Sequence, residues 1–477
     1  MKKILIVVLA TASLLFAESY QVNTLSAKQM GMAHAGAGMK LGSESMHFNP
    51  GGLGFLDKKL DISAGVTFII PEVEIWVDGV RTANTELGTP LYVYAASNIT
   101  DWFSAGLSFT TPYGNTVDYG KDWAGADLLQ SISLAVYALQ PTVAFKFIDQ
   151  VSFGGGPTIN FGSFSLSKKL LPAGRLNGYN TLIESLAQTP FAPLTNDIAA
   201  IVNKYANSPA VSTEFSGDAD IGVGFHVGAL YDIIKDKFAL GVSYRSKVDM
   251  KIAKGKAKIT DAEDIPALNA SIDRLNEIAQ AATGQAVAPR VTLPDFEDGT
   301  FKAELPLPAN LNTGVSFRPM DNLLLAFDWQ WVFWSAYKKL SLDFTDNVVL
   351  GVNPSTGASI HSSVSEKKYH DTFAYRLGAQ YTLIDRLDVR LGAYYDESPV
   401  DDDYLTPESP STDKLGCTIG LSYRPISGLS IDASLLRAIA FWGRDATSGS
   451  NKEKSDGLNA RYEVTAWVPS IGLNYSF

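Results

Sequence analysis

The chain has almost no cysteine, no long apolar run after its first few residues, and no surplus of positive charge. Cys417 is alone among 477 residues, so no intrachain disulfide can form. No cysteine stands near the N-terminus to carry a lipoprotein anchor, and Cys417 itself, between Gly416 and Thr418, reads as a small packed strand residue rather than a nucleophile. After the first residues, no run reaches the length of about 18 apolar residues that a transmembrane helix needs. The formal net charge is −11, and −13 once Lys2 and Lys3 leave with a leader. Nucleic acid, which requires clustered Lys and Arg, is thereby excluded as a partner. Site signatures are missing too. His34, His47, His226, His361 and His370 show no metal-ligand spacing. Gly154-Gly155-Gly156 and Gly222-Val223-Gly224 lie within strand patterns instead of preceding helices, so they are not phosphate loops. Asp401-Asp402-Asp403 has no EF-hand pattern and reads as an exposed acidic loop. No Ser, His and acidic residues fall recognisably on neighbouring strand ends, which argues against a barrel phospholipase or protease. No cofactor, metal or enzymatic activity is expected.

What is present begins with Lys2 and Lys3, an apolar stretch from Ile4 to Phe16, and Ala17. That is a secretory leader, residues 1–17, too short to span a bilayer. From residue 59 the sequence alternates. Leu323, Leu325, Phe327, Trp329, Trp331 and Phe333 share one face, with Ala326, Asp328 and Gln330 between them; Leu387, Val389, Leu391, Ala393 and Tyr395 repeat the pattern. Strands are expected at 59–70, 90–99, 102–111, 132–147, 150–166, 217–231, 238–253, 302–317, 323–337, 364–382, 387–396, 414–423, 429–438 and 462–477. Every second connection is short and the intervening ones are long. Fourteen strands with that alternation describe an all-β, transmembrane antiparallel barrel, with both ends of the mature chain on the periplasmic side. A mean hydropathy of +0.03 suits strands with one lipid-facing side. The C-terminus, Ile471, Leu473, Tyr475 and Phe477 alternating with polar residues, is the closing strand that barrel assembly machinery engages. Trp329, Trp331 and Trp334 read as an interfacial aromatic girdle rather than a ligand cage.

Two long connections carry helical periodicity. Leu182, Ile183 and Leu186, then Ile198, Ile201, Val202 and Tyr205, occupy 170–214; Leu268, Ile272, Leu275 and Ile278 occupy 254–291. Such loop helices either pack on each other or present a greasy groove, and the pattern alone leaves both open. Asn49-Pro50-Gly51-Gly52 is a strong turn. Pro112 and Gly114 either break a strand or end it at a surface loop.

Together these motifs resemble the FadL family, outer-membrane transporters of long-chain fatty acids and of aromatic hydrocarbons. The resemblance rests on the Gly31 to Gly38 stretch with Asn49-Pro50-Gly51, on Pro112-Tyr113-Gly114, on Tyr244 to Val248, on Leu305-Pro306, and on Asp396 to Val400. Gly51 stands where the family has Ala, a small-for-small departure. The resemblance implies an N-terminal plug at 18–58 inside a barrel at 59–477, and extracellular loops that form an apolar capture groove. It implies further a lumenal pocket and lateral release at an inward kink of the third strand, Pro112, Tyr113 and Gly114. Candidate groove residues are then Leu182, Leu186, Ile198, Ile201, Leu268, Ile272 and Leu275. A fatty-acid carboxylate buried in such a pocket needs a cationic partner. Arg245, Lys247, Arg376 and Arg390, on the polar side of strands, are the candidates; the alternative is that they bridge Asp328, Asp388, Asp396 or the plug. The expected activity is passive transport of hydrophobic small molecules, long-chain fatty acids foremost, with aromatic-hydrocarbon uptake as the alternative and a general porin behind it. The expected partners are that substrate, outer-membrane lipid and the assembly machinery, with the chain acting as a monomer.

Overall fold

A computed structural model describes residues 19–477 except 85, 127, 172–174, 208–209, 298, 354, 442–443, 447–457 and 459. The expected leader, 1–17, lies outside the described residues. Fourteen antiparallel strands close into a barrel. They are β1 (Asp61–Thr67 and Ile70–Val77), β2 (Leu91–Thr100), β3 (Phe103–Asp118), β4 (Ser131–Ile148), β5 (Val151–Leu171), β6 (Val211–Ile234) and β7 (Phe238–Arg245 and Val248–Thr260). The second half is β8 (Phe301–Leu307 and Asn310–Met320), β9 (Leu323–Val332 and Lys339–Phe344), β10 (Ser362–Glu366 and Thr372–Ile384), β11 (Leu387–Asp396), β12 (Lys414–Ile426), β13 (Leu429–Ala440) and β14 (Ala460–Ser476). Closure runs from Asp61 opposite Ser476 to Val77 opposite Ala460, so no edge strand is left for lipid to face.

Side-chain alternation sets which way each strand faces. Along β14, Val464, Ala466 and Val468 are buried, whereas Ile471, Leu473 and Tyr475 are exposed on the outer face. Exposed apolar side chains cover the outside because lipid, not water, is the solvent there. Trp102 with Phe145, and Trp329 and Trp331 with Phe373, form outward aromatic clusters. Trp334 departs from the expected girdle: it is fully buried inside, its ring edge-on to Tyr20 at 4.8 Å. Cys417 also departs from expectation, being exposed on the outer face instead of packed.

Several strands are longer than the sequence pattern indicates. β3 continues through Pro112 and Gly114 to Asp118, and β6 spans 24 residues from Val211. A bilayer needs only about 9–11 residues per strand, so these extensions form a tall collar at the long-loop end. Above it, α3 (Asn180–Leu186), α4 (Asn196–Lys204) and α5 (Ile265–Thr283) pack together. The stripe Leu268, Ile272 and Leu275 is fully buried against Ile198 and Val202. On its polar side, Asn276 Oδ1 accepts from the Val287 and Ala288 N–H groups at 2.9 Å, and Asn269 clamps Val291, tying the returning chain to the helix.

The N-terminal segment fills the lumen with two one-turn helices, α1 (Ala27–Met30) and α2 (Ser45–Phe48), and tight turns. Ser26 caps α1, its Oγ accepting from Gln29 N–H at 3.0 Å and donating to Glu44 at 2.8 Å. Glu44 in turn accepts from Ser63 of β1 at 2.7 Å, joining the segment to the wall. Asp328 of β9 accepts from the Gly36 and Ala37 N–H groups at 2.7 and 2.8 Å. The backbone is therefore satisfied by lumen side chains in place of sheet neighbours.

Candidate functional site

Asn49 is the knot of the plug. Its side-chain oxygen accepts from Gly51 N–H at 3.0 Å, and its amide donates to the carbonyls of Ala37 at 2.7 Å and Ala229 at 2.9 Å. Pro50 then occupies the first turn of a short 3-10 helix, where its missing N–H costs nothing. At Gly51 a Cβ would lie 2.7 Å from the Ala229 and Leu230 backbone. Glycine is required there, because the plug lies closer to β6 than a methyl would allow. Gly241 of β7 meets the plug in the same way, against the Ala37 carbonyl.

The kink motif is where plug and wall join. β3 pairs with β2 only as far as Thr110, and its register with β4 slips between Thr110 and Tyr113. Beyond that point the plug takes the free edge. Val22 N–H donates to Pro112 O at 2.8 Å, Gly114 N–H donates to Tyr20 O at 2.9 Å, and Gln21 bridges Tyr113. Pro112 has no N–H to leave unsatisfied where the ladder is lost. The strand neither ends at this motif nor opens into a surface loop there: it runs on to Asp118 with its register slipped.

Next to this junction lies an apolar cavity. Ile132, Leu134 and Val136 of β4, Phe164 of β5, and Met250 and Ile252 of β7 wall it. Tyr20 of the plug closes one side, with its hydroxyl donating to Pro306 O and its ring against Trp334, Tyr337 and Tyr113. Lys367, Tyr369, Glu408, Ser409 and Asn115 form one hydrogen-bonded polar cluster on the cavity lining. Tyr369 donates to Ser409 at 2.8 Å, and Lys367, its side chain 1% exposed, pairs with Glu408, 18% exposed. Burial alone would push the Glu408 carboxyl up, but the Lys367 charge and hydrogen bond outweigh it and hold the group below its ordinary value.

A second, polar cavity is lined by Gln21, His34, His47, Arg245, Asp328 and Arg376 among others. Two of the four candidate cations therefore meet, though not in the apolar cavity. Arg245 donates to Gln140 and to the His47 carbonyl at 3.2 and 3.3 Å, and Arg376 stands 3.6 Å from Asp396. Arg390 sits in a carboxylate network, 3.7 Å from both Asp388 and Asp432. Lys247 is not on the lumen side at all: it is exposed and pairs with Asp249 at 2.8 Å. Strict alternation from Arg245 would turn it inward, but β7 breaks at Ser246 and Lys247. From there Val248, Met250 and Ile252 face in, so parity is reset.

The same effect hides Lys367 from sequence reasoning. Counting back from inward-facing Arg376 puts Lys367 on the lipid side, but β10 is interrupted between Glu366 and Thr372, and Lys368 adopts φ +44°. Glu408 lies in a loop with no periodicity to read, and the one available sign was the chemistry of a buried cation needing an anion. Of the groove candidates, Ile198, Leu268, Ile272 and Leu275 are consumed by helix packing, while Leu182, Leu186 and Ile201 stay part-exposed on the loop surface. No cluster of metal-ligating side chains occurs among the described residues.

The sequence pattern of the family described as outer membrane protein transport protein (OMPP1/FadL/TodX) matches residues 8–477. A long-chain fatty acid transport protein of Escherichia coli O6:H1 is 22% identical over 466 residues, covering 96% of this chain and 94% of that protein. A 47 kDa outer membrane protein of Pasteurella multocida is 24% identical over 465 residues, covering 97% and 94%. Among solved structures, a Pseudomonas aeruginosa FadL homologue superposes with a TM-score of 0.71 at 19% identity, covering 96% of this chain and 100% of that one. The toluene transporter TodX of Pseudomonas putida gives 0.63 at 15% identity, covering 97% and 99%. These likenesses establish the fold.

Proposed function

The chain belongs to the outer membrane protein transport protein family (OMPP1/FadL/TodX), whose members are transport channels and not enzymes, and from that premise we propose what it carries and by which route. The cargo is a hydrophobic small molecule, a long-chain fatty acid foremost. It is captured at the extracellular loop helices, held in the apolar cavity, and released sideways into the membrane at the β3 kink, driven by its own gradient. The long-loop end faces outward and the short turns face the periplasm. The single observation carrying this reading is that one cavity is bounded both by a plug residue, Tyr20, and by strands adjoining the kink that the plug clasps. A cargo bound there touches the element that must move for it to leave.

The apolar wall suits an alkyl chain, and the Lys367, Tyr369 and Ser409 end suits one polar head. Aromatic-hydrocarbon uptake is the second reading, favoured by the rings of Tyr20, Tyr337 and Tyr369 at the cavity. A general porin is disfavoured by the filled lumen. The protein acts as a monomer among outer-membrane lipids, after the assembly machinery has engaged its C-terminal strand. The test is uptake of radiolabelled hexadecanoic acid and of toluene by proteoliposomes. Leu134→Arg places a charge in the apolar wall, and transport of both is expected to fall at least about tenfold while the barrel still assembles. Undiminished uptake would overturn the cavity route, and a fall for toluene alone would favour the second reading.

A further inference from the structure

The cation at the polar end of the apolar cavity is already neutralised. Lys367 Nζ donates to Glu408 and reaches Thr406 at 3.4 Å, while Lys368 beside it is turned over the Tyr404 ring at 4.9 Å. The other charged residue among the described ones lining the cavity, Glu304, lies 3.8 Å from Lys251 with 53% of its side chain exposed. The remaining polar groups here are hydroxyls and an amide: Tyr369 and Ser409, joined by Ser19, and Asn115, which donates to the Glu408 carbonyl at 2.7 Å. An ionised carboxylate entering this end would put two anions on one ammonium beside walls of Ile, Leu and Val, with its own water removed. A hydroxyl or protonated carboxyl faces hydroxyl donors and acceptors and brings no charge to desolvate.

We propose that Glu408 sets the charge preference of the cavity: by neutralising Lys367 it selects amphiphiles with an uncharged head, an alcohol, an ester or a protonated acid, over ionised carboxylates. A fatty acid taken up by this route gains one proton from water at the mouth, RCOO⁻ and H⁺ giving RCOOH, and returns it on leaving. No other bond changes. Glu408 is thus a specificity residue, and the inference rests on the transport reading above.

The test is equilibrium binding of hexadecanol and hexadecanoic acid to the mature protein in amphipol, at a pH where the free acid is ionised. The wild type is expected to favour the alcohol, and Glu408→Gln to raise the acid-to-alcohol affinity ratio at least about tenfold, because Lys367 is then uncompensated. Lys367→Gln combined with Glu408→Gln removes both charges and is expected to return the ratio to within about threefold of wild type. Heat-modifiable migration on gels verifies that each variant is folded. A wild type that prefers the ionised acid, or a ratio unmoved in folded Glu408→Gln, overturns the role of Glu408 while leaving transport standing. A wild type that binds neither probe removes the transport reading, and this inference with it.

Discussion

Gly51 shows how a single residue carries long-range information. Its N–H is fixed by Asn49, and its missing side chain lets the plug lie on the Ala229 and Leu230 backbone. Gly51→Ala forces that contact apart, and a cost of about 1–3 kcal/mol in plug docking is expected from overpacking against backbone. Faster amide exchange across 45–56, with barrel strands unchanged, would register it; unaltered exchange would show that the segment has slack. The turn at Asn49-Pro50-Gly51 was legible in the sequence because its causes are local: a side chain that mimics a turn and a ring that fixes φ. The need for glycine over alanine was not, since the colliding atoms lie about 180 residues away on β6. Lys247 was misread, and Lys367 missed, for another physical reason. Alternation assigns a face only while a strand is unbroken, and both lie at breaks where the count restarts.

Elements differ in how much of their role periodicity reveals. The stripe on α5 was readable as an amphipathic helix: Leu268, Ile272 and Leu275 are buried as a stripe should be, whereas Ile278 is exposed. What it packs against could not be read, because an apolar face states that something covers it and not what. Here α4 and the chain from Ala288 to Val291 cover it, so the loop head is a small core of its own. Truncation inside that core is expected to loosen the loops alone: Ile272→Ala should cost about 2–5 kcal/mol of local packing. Limited proteolysis would then cut between 175 and 290 faster than in wild type while the barrel resists. Equal cleavage rates would mean that the helices do not depend on one another. Strand interruptions in β7, β8, β9 and β10 belong to this scale as well. They fall in neighbouring strands that contribute to the lining of the apolar cavity.

At the scale of the whole molecule, the chain is a closed barrel whose lumen is divided by its own N-terminus. Tyr20 and Gln21 are consecutive, yet one faces the apolar cavity and the other the polar cavity, and both are held to β3 at Pro112 to Gly114. Strand number and closure were within reach of the sequence because connection lengths and the C-terminal pattern report topology directly, whereas the plug was expected from the family resemblance alone. The division of the lumen was not within reach, since it depends on residues 20–22 meeting a register slip in β3 some 90 positions later in the chain. The central claim is that cargo leaves past this junction. Gln21→Cys with Tyr113→Cys, in a Cys417→Ser background, joins the two residues of the bridge by a disulfide. Proteoliposome uptake of radiolabelled hexadecanoic acid, measured oxidised and again after reduction, tests the claim most directly. The account predicts that the oxidised form is blocked and that reduction restores uptake. Uptake at the same rate with the disulfide closed would contradict it.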